Sequence, residues 1–185
     1  MSAFEFTFSL VGLLLGFSLV EVMSGLVRTV KLRGTVRIGW LTPLIGLFVM
    51  VDLTSYWSLA WNVREIIPAN FGVLLLALLI TGVYYFAASM VFPDKPEEWP
   101  DFDDWAARHK RQVLGGVFVA NGVATVALFS QLPRASLTLG AVGPHTALML
   151  VMLASALVRP HRATGVLVAA MLLFYLAYPL VQFLN

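Results

Sequence analysis

The chain has 185 residues, of which 59% are hydrophobic and 12% charged, with a formal net charge of +2. A soluble domain carries roughly 45–50% apolar and about 25% charged residues, so a single soluble core of this size would leave much apolar surface in water. The absence of cysteine excludes disulfides, thiolate catalysis and iron–sulfur ligation. The composition indicates an integral membrane protein, and no basic, aromatic-rich patch points to nucleic acid.

Six apolar runs are long enough to cross a hydrocarbon core about 30 Å thick, which needs about 20 helical residues. The runs lack the alternation of barrel strands, and lipid-exposed backbone must form hydrogen bonds within its own segment. We therefore predict an all-α fold, a polytopic integral membrane protein whose six-transmembrane-helix bundle forms one domain over residues 1–185. The predicted spans are residues 4–27, 38–61, 68–91, 113–132, 137–158 and 163–184.

The first span carries an acid, Glu21, and a GxxxG pair, Gly12 and Gly16. An acid inside a span costs roughly 2.5–3.5 kcal/mol on insertion scales, so we expect Glu21 to face protein or water. A protonatable or cation-binding role, an arginine-paired packing role and snorkelling to the interface all remain open for it. The two glycines permit close helix contact, as do Gly116 and Ala120 in the fourth span.

The second span carries Asp52 near the bilayer midplane, when depth is counted at about 1.5 Å per helical residue. Polar residues of other spans then fall into two layers. The midplane layer joins Asp52 to three side chains: Asn121, His145 and Tyr175. The inner layer joins Glu21 to one of two neighbours: Tyr84 or Tyr85. A functional acid and a hydrogen-bonded packing group both fit Asp52.

Residues 92–112 form the main polar segment. Its prolines indicate an irregular first part, after which Asp101 can cap a helix with Asp103 and Asp104 in its first turn. We predict a short cytoplasmic helix that lies on the membrane and leads into the fourth span. The acids of this segment form no EF-hand pattern, so we interpret them as solvated capping residues and predict no metal site.

The fifth span carries Gly140, Gly143 and Pro144 directly before or near His145. Pro144 removes a backbone donor and frees the carbonyl of Gly140, which makes this span the best candidate for a broken helix lining a cavity. Pro179 has the same effect in the sixth span. A simple kink is the alternative at both prolines, and a hydrogen-bonded packing role is the alternative for His145.

Lysine and arginine are distributed unevenly between the loops. Of the twelve such residues, only Arg64 and Arg134 fall in the second and fourth loops. The other ten fall in the first, third and fifth loops: Arg28, Lys31, Arg33, Arg37, Lys95, Arg108, Lys110, Arg111, Arg159 and Arg162. The positive-inside rule makes the side with ten residues cytoplasmic. We therefore expect both termini outside, in a bacterial inner (plasma) membrane.

The sequence identifies no cofactor. A bis-histidine haem needs two axial histidines at suitable depth, whereas His109 and His161 fall in cytoplasmic segments. No lysine lies inside a span, which excludes a retinal Schiff base, and no P-loop, GxSxG, HExxH or GxGxxG motif occurs. An enzyme is therefore the least expected class of function.

Two classes of function remain open. The first is a small transporter or channel that moves a proton, ion or small solute past Glu21, Asp52 and His145, because intramembrane ionisable residues are functional candidates by default. The second is a non-catalytic accessory or scaffolding subunit of a larger membrane complex, whose polar residues pair internally. Its partners beyond the lipid bilayer, whether further copies of itself or foreign membrane subunits, stay open.

Overall fold

The computed structural model describes residues 3–64 and 70–184, without the side chains of residues 3–7, 141 and 178–184. Within these residues the fold is all-helical, as predicted, with no β-strand. The six helices are α1 (Ala3–Leu32), α2 (Leu41–Asn62), α3 (Phe71–Ser89), α4 (Phe102–Gln131), α5 (Leu139–Leu157) and α6 (His161–Leu184). Four of them, α1 to α4, are long and apolar enough to cross a membrane.

The helices close into a ring in the order α1, α3, α4, α5, α6, α2. Helix α2 also contacts α3 and α4 across the ring, so it touches four of the other five helices. A side chain in the middle of α2 can therefore meet several helices at once. Asp52 occupies this position and is fully buried.

Helix α4 differs from the prediction at its start. It is one continuous helix of 30 residues, so the predicted separate interfacial helix is wrong. Asp101 does cap it, accepting a hydrogen bond from the Asp103 amide at 2.8 Å. No glycine or proline lies between Asp101 and Val113, so nothing in the sequence interrupts the helix there. Phe102 and Ala106 are buried, and the start of α4 therefore packs on the bundle.

The start of α2 is capped by a residue of α4. Trp40 occupies the N-cap position of α2 and offers no side-chain cap. Instead the Asp103 carboxylate accepts hydrogen bonds from the amides of Trp40 (3.2 Å), Leu41 (2.9 Å) and Thr42 (3.3 Å). A carboxylate at a helix N-terminus satisfies orphan amides and interacts favourably with the helix dipole. The first turns of α2 and α4 are thereby joined.

The three loops rich in lysine and arginine meet at one end of the bundle. The Arg37 amide, after α1, donates to the Pro100 carbonyl, before α4, at 3.0 Å. The Lys110 ammonium of α4 donates to the Val158 carbonyl, which follows α5, and to Thr164 of α6. The bundle therefore has one basic end, where the ten lysines and arginines of these loops lie.

The predicted packing glycines have different surroundings. A Cβ added to Gly12 would lie 3.3 Å from an indole ring of α2, and one added to Gly116 would lie 3.0 Å from a methyl group of α3. Ala120 is buried, whereas a Cβ at Gly16 would meet nothing within 4 Å. The backbone of Gly25 lies closer to its neighbour than that of Gly12 or Gly116 does. A Cβ added there would lie 2.2 Å from the ring of Phe92, which follows α3.

Helix α5 runs without a break from Leu139 to Leu157, with Pro144 inside it. The predicted broken helix is therefore wrong. Pro144 lies only five residues after the first helical residue, so its missing amide removes just one of the first backbone hydrogen bonds. A Cβ added to Gly143 would meet nothing within 4 Å, and one at Gly140 only a hydroxyl at 3.9 Å. Pro179 lies outside the described side chains.

Candidate functional site

A hydrogen-bonded cluster surrounds the buried carboxylate of Asp52. The Tyr175 hydroxyl of α6 donates to Oδ1 at 2.6 Å. The Tyr84 hydroxyl of α3 and the Asn121 amide of α4 donate to Oδ2 at 2.8 Å and 3.0 Å. Three other helices therefore converge on one acid of α2, and we call these four residues the Asp52 cluster.

The members of the Asp52 cluster also contact one another. The Asn121 amide nitrogen lies 2.7 Å from the Tyr84 hydroxyl oxygen, so that hydroxyl can accept from Asn121 while it donates to Asp52. Apolar side chains with at most 1% exposure surround the cluster on α2: Phe48, Val49 and Leu53. Hydrogen bonds are stronger in such a low-dielectric site, and an unpaired polar group there is costly.

Glu21 lies away from this cluster. Its carboxylate approaches the Arg28 guanidinium of the same helix at 3.6 Å, and its side chain is 34% exposed. Tyr84 instead binds Asp52, and Tyr85 is exposed. The predicted inner layer of Glu21 with Tyr84 or Tyr85 is therefore wrong, because equal depth did not place these side chains on facing sides of their helices.

His145 also lies apart from Asp52. It is exposed on α5, and its ring lies edge-on to the Phe129 ring with 5.9 Å between centroids. Of the predicted midplane layer, the structure brings Asn121 and Tyr175 to Asp52 and leaves His145 outside. Tyr84 of α3, rather than His145, is the third partner of Asp52.

A cavity of about 390 Å³ lies between α1, α2, α3 and α4, at the end opposite the basic loops. We call it the four-helix cavity. Its mouth is lined by four polar residues: Arg64, Asn70, Ser130 and Gln131. Tyr56 lines the part that extends deepest along α2, and its ring lies 5.3 Å from that of Tyr84. The cavity is therefore separated from the Asp52 cluster by one aromatic layer.

A second buried polar group, Lys110, was assigned from sequence only to topology. It is 5% exposed and donates to the Val158 carbonyl and, at 2.7 Å, to the Thr164 hydroxyl. The carbonyls at a helix C-terminus attract cations, and Val158 directly follows α5. Lys110 thus joins α4 to the turn between α5 and α6. The one available signal was its i,i+4 spacing from the apolar Ala106.

Replacing Lys110 by methionine is expected to lower the free energy of unfolding by about 1–2 kcal/mol, because the Val158 carbonyl loses its buried donor. Unfolding of the detergent-solubilised protein by a chemical denaturant measures this loss. Arg111→Met is the matched control, since it removes the same charge from the next, exposed residue. Equal losses in the two variants would show that charge alone, rather than the contact, is responsible.

The described side chains include no group of three or more histidines, aspartates and glutamates that could hold a metal ion. Comparison of the chain with protein-family models, with curated proteins and with solved structures finds no match. The function of the chain is therefore inferred from the geometry of its own side chains.

Proposed function

We propose that the chain is a six-span integral membrane protein that translocates protons, with Asp52 as the group that takes up and releases each proton. The burial of Asp52 among three neutral donors carries this proposal. Buried carboxylates are normally paired with a cation, whereas the described hydrogen-bond partners of this one are two hydroxyls and an amide. Hydroxyls both donate and accept, so the cluster can accommodate Asp52 with or without a proton.

The surface of the bundle supports its placement in a bilayer. Each helix exposes large apolar side chains, for example Phe17, Leu47, Phe86, Val126, Leu150 and Leu173. Water would disfavour so much exposed apolar surface, whereas lipid would solvate it. The ten lysines and arginines gathered at one end favour a cytoplasmic location for that end, with both termini outside an inner (plasma) membrane.

The short contacts in the cluster favour a proton over a larger cation. The three donors lie 2.6–3.0 Å from the carboxylate oxygens, which is direct hydrogen-bonding distance. A metal cation would have to displace these groups, whereas a proton needs almost no additional volume. The four-helix cavity and the Tyr56 ring provide the approach from outside, and Ile45, Phe48 and Val49 close the cytoplasmic side.

Proton flux into liposomes tests the proposal. The reconstituted chain is expected to carry protons in response to a potassium-diffusion potential, read by an enclosed pH-sensitive dye. Asp52→Asn should reduce this flux to that of protein-free liposomes, because a carboxamide keeps the size of the side chain but cannot take up a proton at neutral pH. Glu21→Gln is the matched control and should retain the flux, since Glu21 lies outside the cluster.

Two results would contradict the proposal. In the first, liposomes with the native chain take up protons no faster than empty liposomes. In the second, the Asp52→Asn variant shows the full proton flux of the native chain. Either result would leave the non-catalytic subunit as the better interpretation, and a foreign protein that copurifies in fixed stoichiometry would then identify the complex.

A further inference from the structure

We infer that Phe92 is a plug that seals the cytoplasmic side of the Asp52 cluster against water. Its ring follows α3 and enters the bundle between α1 and α2. The role of the plug in transport rests on the proposed function, because Asp52 can take up protons from one side only while the other side is closed. The seal itself is a property of the packing, and it can be tested without any measurement of proton flux.

The Phe92 ring bridges the backbones of α1 and α2. A Cβ added to Gly25 of α1 would lie 2.2 Å from Cδ2 of the ring and 2.5 Å from Cγ. A Cβ added to Gly46 of α2 would lie 3.0 Å from Cζ, at the opposite end of the same ring. A larger residue at Gly25 would clash with the ring, so this glycine makes room for it. The ring therefore fills the space between the two helices, and Phe92 is only 5% exposed.

The plug lies between Asp52 and the basic end of the bundle. Gly46 precedes Asp52 by six residues, which corresponds to about 9 Å along α2. Three apolar residues share the helix face of Asp52 on this side and are buried: Ile45, Phe48 and Val49. An apolar constriction of this kind excludes water, as the hydrophobic gates of channels do. The plug and these side chains together separate the acid from the cytoplasmic loops.

The segment that carries the plug, residues 90–101, lies between α3 and α4, and we call it the strap. At its start the Trp105 indole of α4 donates to the Met90 carbonyl at 3.1 Å. At its end the Asp101 carboxylate approaches the Arg37 guanidinium at 3.4 Å, but the Arg37 side chain is 82% exposed and such an ion pair contributes little. The plug can therefore move with the strap while α3 and α4 stay intact.

Cysteine labelling tests the seal, because the chain contains no native cysteine. Val49→Cys places a reporter between the plug and Asp52, and a membrane-impermeant maleimide is added to inside-out vesicles, on which the basic end faces outwards. The reporter should react slowly when Phe92 is present, and Phe92→Ser should accelerate its labelling about tenfold or more by opening a wet path. Phe86→Ser is the matched control, because it removes the same ring from a residue of α3 that is 48% exposed.

A second reporter shows whether the effect is local. Met152→Cys is buried in α5, which packs on α4 and α6, and it should stay unreactive in the Phe92→Ser background. The inference is overturned if Phe92→Ser leaves the labelling of Val49→Cys unchanged, or if Phe86→Ser accelerates it equally. It is also overturned if both reporters become reactive together, since the whole bundle would then have loosened.

Proton flux separates this inference from the proposed function. Phe92→Ser should raise the flux severalfold, and Asp52→Asn in the same chain should abolish the increase. An increase that survives Asp52→Asn would overturn the role of the plug in access to Asp52. Labelling as expected in a chain without flux would refute proton transport and leave the seal in place. Flux that depends on Asp52, with labelling that Phe92→Ser does not change, would refute the plug and leave proton transport in place.

Discussion

Replacing Asp52 by leucine is expected to lower the free energy of unfolding by about 2–4 kcal/mol. Leucine has a similar size but accepts no hydrogen bond, so Tyr84, Asn121 and Tyr175 lose their shared acceptor. A hydrogen bond within a bilayer contributes about 0.6 kcal/mol on average, and a buried donor without a partner costs about 1–3 kcal/mol. Loss of three hydrogen bonds at the bilayer average gives the lower end of the expected range, and one buried donor left without a partner gives its upper end.

Asp52→Asn should be much less destabilising, by about 1 kcal/mol or less, because its carboxamide oxygen still accepts hydrogen bonds. Denaturation by sodium dodecyl sulfate in mixed micelles measures both variants. The comparison of Tyr84→Phe with Tyr85→Phe supplies a control, since each removes one hydroxyl and only Tyr84 contacts Asp52. If Asp52→Leu left the free energy of unfolding unchanged, the cluster would not hold the helices together.

The two substitutions at Asp52 also separate structure from transport. If the acid serves only to join helices, Asp52→Asn should preserve both stability and any flux that the native chain shows. If the acid carries protons, Asp52→Asn should lose flux while it retains most of its stability. The same residue can thus be tested for each role without a change in helix packing.

Much of the fold could be predicted from the apolar runs, because a helix of about 20 apolar residues leaves a clear signal in sequence. Each of the six predicted runs overlaps one helix, with ends that differ by up to eleven residues at the start of α4, and four of the helices are long and apolar enough to cross a membrane. The cap of α4 by Asp101 was also predictable, since it depends on neighbouring residues in the chain. Such features are local and need no knowledge of the neighbouring helices.

The composition of the Asp52 cluster was only partly predictable. Counting residues from the loops gives the depth of a side chain but not the direction in which it points. Asn121 and Tyr175 were therefore placed correctly beside Asp52, whereas His145 was placed there wrongly and Tyr84 was assigned to Glu21. Lys110 and the cap by Asp103 depend on contacts between distant segments. The spacing of Lys110 from Ala106 could suggest that Lys110 is buried, but a single sequence does not identify the groups that it or Asp103 contacts.

Gly39→Ala is expected to lower the free energy of unfolding by about 2–4 kcal/mol, although the residue lies in a loop. Gly39 has φ +65°, a conformation that costs other residues about 1–2 kcal/mol. A Cβ there would also lie 2.1 Å from the Asp103 carboxylate carbon, so the carboxylate must move away from the start of α2. Loss of a helix cap costs about 1 kcal/mol and up to about 2 kcal/mol, which adds to the backbone strain.

Denaturation of three further variants identifies the cause of this loss. Gly34→Ala should have little effect, because a Cβ there would meet nothing within 4 Å and its φ is not positive. Asp103→Ala should lose only the contribution of the cap, about 1–2 kcal/mol. The double variant of Gly39 and Asp103 should lose less than the sum of the single losses, because both substitutions remove the same carboxylate from the same amides. Strictly additive losses would show that Gly39 acts through backbone strain alone. Asp103 would then cap α2 without any contribution from the conformation of Gly39.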